Sequence, residues 1–237
     1  MIVFWRLFLT YFLTDFIFCF ESAENLRAQN QIKRILVHGC VFFVLALLLC
    51  YRYLTMPWPF LELVDLPGWV VIILLSLFHM FSARLFNFGG RMKYGYFLSF
   101  FSKTFANMLF LFLCVPFRVL YETGNFFAEH WIIFCVGLVL ATRVVGQGIF
   151  TIEQDRYGRD YPTFDEQWML MTARAIFFLI MLLPGWRWIV LLLVWCGACI
   201  YARKIRLLDV TNFAFYMGMF SAIFLGFLVR LRFYLVW

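Results

Sequence analysis

Among the side chains that carry charge or titrate inside otherwise apolar stretches, six are candidates for a site: Asp15, His38, His79, Lys103, Arg143 and Arg174. One carboxylate and two histidines suffice for a minimal metal or acid-base site. Three cations that converged would instead bind an anion or a lipid phosphate. The structural alternative is that the carboxylate pairs with one cation between helices, while the other cations snorkel or bond to carbonyls and the histidines hydrogen-bond to neighbouring helices.

The composition predicts that membrane-spanning helices position these side chains. Of the 237 residues, 65% are apolar, only 14% are charged and 33 are Phe, which excludes a single water-soluble globule. A helix needs about 20 mainly apolar residues to cross a bilayer, and the chain is an almost unbroken series of such stretches. The sequence therefore predicts an all-α, polytopic transmembrane helical bundle. Residues 1–237 would form one integral membrane domain without a soluble domain.

Eight spans are predicted, at residues 2–20, 35–54, 67–86, 96–115, 131–150, 168–183, 187–205 and 212–235. The first span carries Arg6 and Asp15, and a re-entrant or interfacial first segment would reduce the count to seven. His38 comes early in the second span and His79 comes late in the third. The two histidines are therefore expected in the same leaflet, where they could be neighbours.

Sequence motifs for cofactors and for catalysis are absent. All seven cysteines fall inside apolar runs, and the CxxC of Cys196 and Cys199 has neither a second pair nor a neighbouring His. Gly-rich phosphate loops, a GxSxG elbow and an HExxH pair do not occur. We therefore predict no catalytic residue, no metal site and no cofactor.

Three segments of the chain resemble an uncharacterised bacterial membrane family catalogued as domain of unknown function 3307. They are TDFIFCFESAENLRAQNQIKRILVHG, SLFHMFSARLF and FFSKTFANMLFLF. The longer, Bacteroidetes-type form of the family has a similar length, and the resemblance extends through MLMTARAIFFLIMLLPGWRWIVLLLVWCGACIYARK. The resemblance implies a divergent member in the bacterial inner membrane. It would have a family-like four-span half at residues 1–120 and four further spans at residues 121–237.

The family shares a constellation of His, Asp and Gln along its first four spans, and the resemblance implies that this chain has lost most of it. Asp15, His38 and His79 match family positions. Other residues replace the family's polar groups at the remaining positions, namely Tyr11, Cys19, Arg34, Ala83, Lys103, Thr104 and Asn107. If the first and fourth spans pack together, an ammonium at position 103 would pair with Asp15 and repel a metal cation. This departure argues against metal-dependent catalysis.

The sequence predicts a non-catalytic structural or assembly subunit with a degenerate buried polar site. One alternative is a small transporter or channel for an anionic or lipid-like substrate, which would use the three buried cations. A second alternative is an intramembrane metal-dependent hydrolase that uses Asp15 and the two histidines. The expected partners are membrane lipids, including anionic headgroups, and other membrane proteins or further copies of this chain. The net charge of +7 comes mostly from the connectors, so it does not indicate nucleic acid.

The orientation of the chain follows from its basic residues, which insertion retains in the cytoplasm. Connectors after the odd-numbered spans hold eleven: Arg27, Lys33, Arg34, Arg84, Arg91, Lys93, Arg156, Arg159, Arg203, Lys204 and Arg206. The opposite side holds five: Arg52, Arg118, Arg187, Arg230 and Arg232. The odd-numbered connectors are therefore predicted in the cytoplasm, and with eight spans both termini would face outward.

Cysteine accessibility labelling tests this orientation. Single cysteines placed at residues 89–93 or 156–160 in a cysteine-depleted chain should react with a membrane-impermeant maleimide only after the cytoplasmic face is opened, because the basic residues concentrate on that side. A cysteine placed at residues 120–126 serves as the opposite-face control and should react in intact cells. Labelling of either cytoplasmic connector from outside would contradict the orientation.

Overall fold

The computed structural model describes residues 2–18, 31–60, 63–85, 94–115, 129–158, 164–205 and 210–234. Eight helices run through these residues. They are α1 (Ile2–Leu13), α2 (Gln31–Cys50), α3 (Gly68–Leu85), α4 (Gly95–Cys114), α5 (His130–Tyr157), α6 (Phe164–Met181), α7 (Arg187–Lys204) and α8 (Asn212–Tyr234). A π-helical turn, Thr14–Phe18, extends α1, and a second, Leu140–Val144, interrupts α5. The predicted all-α class is confirmed, with one helix at each predicted span.

Some sequence predictions concern parts of the chain outside the described residues. These are the basic connector residues Arg27, Arg91, Lys93, Arg118, Arg159 and Arg206, and the family position Cys19. The side chains of Lys33, Arg34, Ala83 and Arg84 also lie outside the described part. The charge distribution that predicts the orientation therefore remains an argument from the sequence.

Four helical segments are long and apolar enough to cross a membrane: Ile35–Tyr53, which is α2 continued by a 3-10 turn, and α4, α5 and α8. Two shorter apolar segments, Gly68–Ser82 and Trp168–Met181, lie in α3 and α6. The remaining long helix, α7, has 18 residues, three of which are basic, so a larger share of its residues is charged than in the four spanning candidates. These helices support a membrane-embedded protein, whereas the count of eight spans is not confirmed among the described residues.

A small antiparallel hairpin, β1 (Pro57–Phe60) and β2 (Val64–Pro67), connects α2 to α3 and was not predicted from the sequence. Its prolines exclude a helix here, because proline lacks the N–H that a helix interior needs. The indole of Trp58 is buried and donates from Nε1 to the carbonyl oxygen of Tyr53 at 3.1 Å. This ring also packs on Gly68, where an added Cβ would lie 2.6 Å from it. The hairpin is thereby fixed to the first residue of α3.

The chain divides into two compact units, Met1–Ile133 and Phe134–Trp237. In the first unit α1 packs on α2, α2 on α3, α3 on α4, and α4 on α1. The four helices thus form a closed ring of neighbours around a buried interior. That interior is mostly apolar, with Leu7, Phe42, Ile72 and Leu75 among its members. Polar side chains also enter it, and these form the candidate site.

In the second unit α8 packs on α6 and on α5, and α6 also packs on α5 and α7. Gly218, Ala222 and Gly226 are buried at four-residue intervals on α8, so they share one face of the helix. Gly218 and Gly226 both face α6, because an added Cβ would lie 2.8 Å from Arg174 Nε and 2.8 Å from Met181 Cβ, respectively. Small residues of this kind let membrane helices approach closely.

Replacement of Gly226 by Ala should destabilise the second unit. The new methyl group would meet Met181 Cβ at 2.8 Å and the Phe178 carbonyl oxygen at 3.1 Å, and overpacking of this kind costs about 1–3 kcal/mol. Gly197→Ala on α7 is the matched control, since an added Cβ there meets nothing within 4 Å. Thermal unfolding in nanodiscs measures both variants. Equal unfolding temperatures for the two would contradict the close α6–α8 contact.

Candidate functional site

The candidate site is centred on Asp15, which the π-helical turn at the end of α1 carries into the first unit. A π turn closes hydrogen bonds five residues apart rather than four, and such turns are frequent at functional sites. Thr14 is fully buried, and its hydroxyl donates to the Thr10 carbonyl oxygen at 2.9 Å. That bond satisfies the hydroxyl within its own helix. The side chain of Asp15 is only 5% exposed, so its partners must come from other helices.

The carboxylate of Asp15 contacts one side-chain nitrogen from each of α2, α3 and α4. The distances are 2.8 Å from Oδ1 to His38 Nε2, 3.1 Å from Oδ1 to His79 Nε2 and 3.0 Å from Oδ2 to Lys103 Nζ. Both carboxylate oxygens are thus engaged, and four helices meet at one side chain. The structure contains the Asp15–Lys103 pair that the resemblance to the bacterial family implies. The two predicted histidine neighbours also lie together, with ring centroids 5.2 Å apart.

A relay of hydrogen bonds orients His79. Asn107 Nδ2 donates to Ser82 Oγ at 2.7 Å and to the Lys103 carbonyl oxygen at 2.8 Å. Because a carbonyl oxygen only accepts, these contacts identify the amide nitrogen and leave Asn107 Oδ1 facing His79 Nδ1 at 3.3 Å. His79 therefore donates from Nδ1. Its Nε2 points into the site, where it makes no hydrogen bond to a described group.

Aromatic rings surround the imidazole of His79. Phe42 stacks on it at a centroid distance of 5.0 Å, and Tyr11 meets it edge to face at 5.6 Å. The buried Tyr11 hydroxyl lies beside Asp15 and Thr104, without full hydrogen-bond geometry among the described residues. A cavity of about 10 Å³ borders His79, Tyr11 and Asn107. It has room for about one water molecule.

The charges of the cluster balance when both histidines are neutral, because one carboxylate faces one ammonium. An isolated charge at the centre of a bilayer costs about 3 kcal/mol or more, so a buried pair needs close contact and additional hydrogen bonds. His38 supplies one such bond to the carboxylate. Lys103 is 25% exposed along its side chain, which leaves its stem partly outside the cluster. Of the four charged or titratable members, Lys103 is the most accessible.

Arg143 and Arg174 belong to the second unit and have their own partners there. The guanidinium of Arg143 lies over the ring of Trp168 at 5.5 Å. Arg174 is buried, and its Nη1 donates to the carbonyl oxygen of Thr142 at 3.1 Å. Its guanidinium also packs closely on Gly146 and Gly218. The site for an anion that the sequence allowed requires three cations available to one ligand. Each of the three is engaged within its own unit.

Sequence reasoning missed Ser82, which is fully buried and donates to the His79 carbonyl oxygen at 2.9 Å. The available signal was its spacing, since Ser82 follows His79 by three residues and so shares a helix face with it. Among the described residues the one cluster with three metal-capable side chains is Asp15, His38 and His79. Cys196 and Cys199 are free and lie outside it.

A double-mutant cycle tests the buried pair. Asp15→Asn or Lys103→Met alone should lower the free energy of unfolding by about 3–5 kcal/mol, because each leaves one buried charge without its partner. The double variant should recover much of that loss. Unfolding in nanodiscs with a chelator present measures all three variants.

The control for this cycle combines Asp15→Asn with Lys204→Met. Lys204 is an exposed cation at the end of α7. Those two losses should add, because the residues share no partner. Additive losses for Asp15 and Lys103 as well would mean that the pair contributes no coupling energy.

Comparisons with protein-family models, with curated proteins and with solved structures find no match for this chain. The resemblance to the uncharacterised bacterial family therefore stays a prediction, as do the family positions assigned to Tyr11, Thr104 and Asn107. The function must be argued from the geometry of the buried cluster and from the composition of the helices.

Proposed function

We propose that this protein is a non-catalytic integral membrane protein with a structural or assembly role, in which the buried cluster fixes α1 to α4 against one another. The observation that carries the proposal is the engagement of both Asp15 oxygens, by His38 from α2 and by Lys103 from α4, beside the contact of His79 with Asn107 that joins α3 to α4. A carboxylate used in this way stabilises one arrangement of four helices. The pair would thus specify how the helices pack, which is a role attested for some buried polar groups.

The size of the cavity beside the cluster also favours a structural role. A cavity of about 10 Å³ is far below the roughly 300–1,000 Å³ of sites that bind small molecules. Asp15 and His79 are 5% and 2% exposed, so the described residues leave a hydrolase substrate little room to reach them. The ammonium of Lys103 occupies the remaining carboxylate oxygen. These features weigh against the hydrolase alternative.

We further propose that all eight helices cross or enter a bacterial inner membrane, with the odd-numbered connectors in the cytoplasm and the chain a divergent member of the family it resembles. The positive charge of those connectors supports the orientation. Lipids, including anionic headgroups, would cover the outer faces. On α7 and α8 the exposed residues include Leu193, Val194 and Phe220, and such faces suit lipid tails, a membrane-protein partner or another copy of the chain.

The experiment that tests a non-catalytic role removes the chemistry while keeping the packing. The Asp15→Asn, Lys103→Met double variant has no carboxylate and no ammonium, but it keeps side chains of similar size at both positions. In a strain that lacks the wild-type gene, it should restore growth and membrane composition as the wild type does. Native mass spectrometry from nanodiscs should give the same assembly for both proteins.

Two further variants separate the alternatives. Arg174→Met tests the transporter reading, and Lys204→Met is a control for removal of a surface cation. The proposal is wrong if the double variant folds and assembles normally yet fails to restore the strain, since Asp15 would then act in a reaction or in transport. A failure confined to a well-folded Arg174 variant would favour a transporter instead.

A further inference from the structure

The orientation of His79 creates an unusual contact. Its Nδ1 faces Asn107 Oδ1, so a ring that carries one proton presents the lone pair of Nε2 toward the Asp15 carboxylate, 3.1 Å away. Two acceptors at this distance repel each other unless a cation lies between them. His79 is 2% exposed, and Nε2 has no hydrogen-bond geometry with any described group. The cluster therefore holds a buried ring nitrogen, His79 Nε2, that can donate its lone pair to a metal ion and is not aligned for a hydrogen bond.

The off-axis placement of Nε2 suits a metal ion better than a proton. A hydrogen bond needs a nearly straight line from donor through proton to acceptor. Donors on a tetrahedral metal instead sit about 109° apart, so each lone pair points at the metal and not at the other donor. An arrangement that is poor for a hydrogen bond is thus the expected one for two ligands of one ion.

The distances lie on both sides of those expected for this geometry. Zinc bonds of about 2.0–2.1 Å to nitrogen and oxygen place neighbouring ligand atoms about 3.3–3.5 Å apart. Asp15 Oδ1 lies 2.8 Å from His38 Nε2 and 3.1 Å from His79 Nε2, and the ligand atoms of all three residues lie within 4.8 Å of one another. Side-chain movements of a few tenths of an ångström at the oxygen, and a closer approach of the two rings, would complete the site.

From these observations we infer that Asp15, His38 and His79 form a binding site for a divalent transition metal ion, with the Lys103 ammonium as the cation that competes for Asp15. His38 would bind through Nε2 as its other tautomer, with its proton moved to Nδ1. Two imidazoles and one carboxylate suit zinc, iron or copper, whereas magnesium and calcium prefer oxygen ligands alone. A water molecule would serve as the fourth ligand, as it does in zinc sites with three protein ligands.

Asn107 is the positioning residue of this site. Ligating histidines almost always donate their second ring N–H to a carbonyl or carboxylate, which fixes the tautomer and the ring. The bond from His79 Nδ1 to Asn107 Oδ1 has this form, and the contacts of Asn107 with Ser82 and with the Lys103 carbonyl oxygen hold the amide in place. The arrangement around His79 is thus that of a metal ligand.

Lys103 explains how the site could alternate between two cations. Its ammonium lies on the second Asp15 oxygen at 3.0 Å, so a dication beside the first oxygen would be repelled at close range. The side chain is 25% exposed and can withdraw along its flexible stem. Either cation neutralises Asp15. Metal binding would therefore take over the structural role of the ammonium without requiring catalysis.

Zinc titration of the full-length protein tests the inference. Wild type and Lys103→Met, each in nanodiscs and treated with a chelator, are titrated with zinc in competition with a chromophoric indicator. The Lys103→Met variant should bind one equivalent at least about tenfold more tightly than wild type, because the competing charge is gone. Zinc should also raise its unfolding temperature, because the ion replaces the lost partner of Asp15.

Two double variants locate the bound metal. His79→Gln combined with Lys103→Met should lose the bound equivalent, whereas His130→Gln with Lys103→Met should keep it, because His130 lies on α5 outside the cluster. If Lys103→Met does not fold, Lys103→Gln takes its place, since the amide still donates to Asp15 without carrying charge. The site is refuted if neither Lys103 variant binds one equivalent or if the His79 variant still does. If wild type and the Lys103→Met variant bind zinc with equal affinity, Lys103 does not compete with the metal for Asp15.

Discussion

A carboxylate among apolar helices has to be neutralised where it stands, and the first unit of this protein is arranged around that requirement. Water cannot solvate Asp15, so its counter-charge and hydrogen bonds must come from side chains. They come from His38 on α2 at 2.8 Å and from Lys103 on α4 at 3.0 Å, while His79 on α3 lies 3.1 Å from the same carboxylate. Because all three helices must supply a nitrogen at the same point, the rotation of each helix about its axis is constrained. The buried acid therefore links the choice of residues to the packing of the whole unit.

The second unit satisfies its charges by different means. Arg174 donates to a backbone carbonyl oxygen of α5, in the π-helical turn, and Arg230 donates to the carbonyl oxygens of Met181, Leu183 and Gly185 at and beyond the end of α6. Carbonyl oxygens at helix ends and in π turns lack normal helical partners, so they can accept from a guanidinium. This unit packs its helices through small residues on α8 and needs no buried acid among its described residues. The two units thus use different solutions to the same problem of burying cations.

The relation between the ammonium and a metal ion follows from the same electrostatics. Asp15 requires one positive charge close by, and the cluster offers two ways to provide it. Lys103 supplies a charge that is part of the chain, while the two imidazoles supply neutral donors for a charge taken from solution. A structural role is compatible with either cation, since both hold α1 against its neighbours. The cavity beside His79 has a volume of about 10 Å³, which is room for about one water molecule.

The sequence by itself determined the helical class, the positions of the eight helices and the presence of charges that must be buried, because hydropathy is a local property and each helix satisfies its own backbone. It also required a cation beside the deep carboxylate, and the resemblance to the bacterial family implied that this cation is Lys103. It did not predict the hairpin between α2 and α3, nor the place of Ser82 in the relay that orients His79. Only the tertiary structure decided that both histidines meet the same carboxylate oxygen, and that Arg143 and Arg174 have partners of their own. Those outcomes depend on helix rotation and on π turns, which shift side chains around the axis and leave little trace in the pattern of apolar residues.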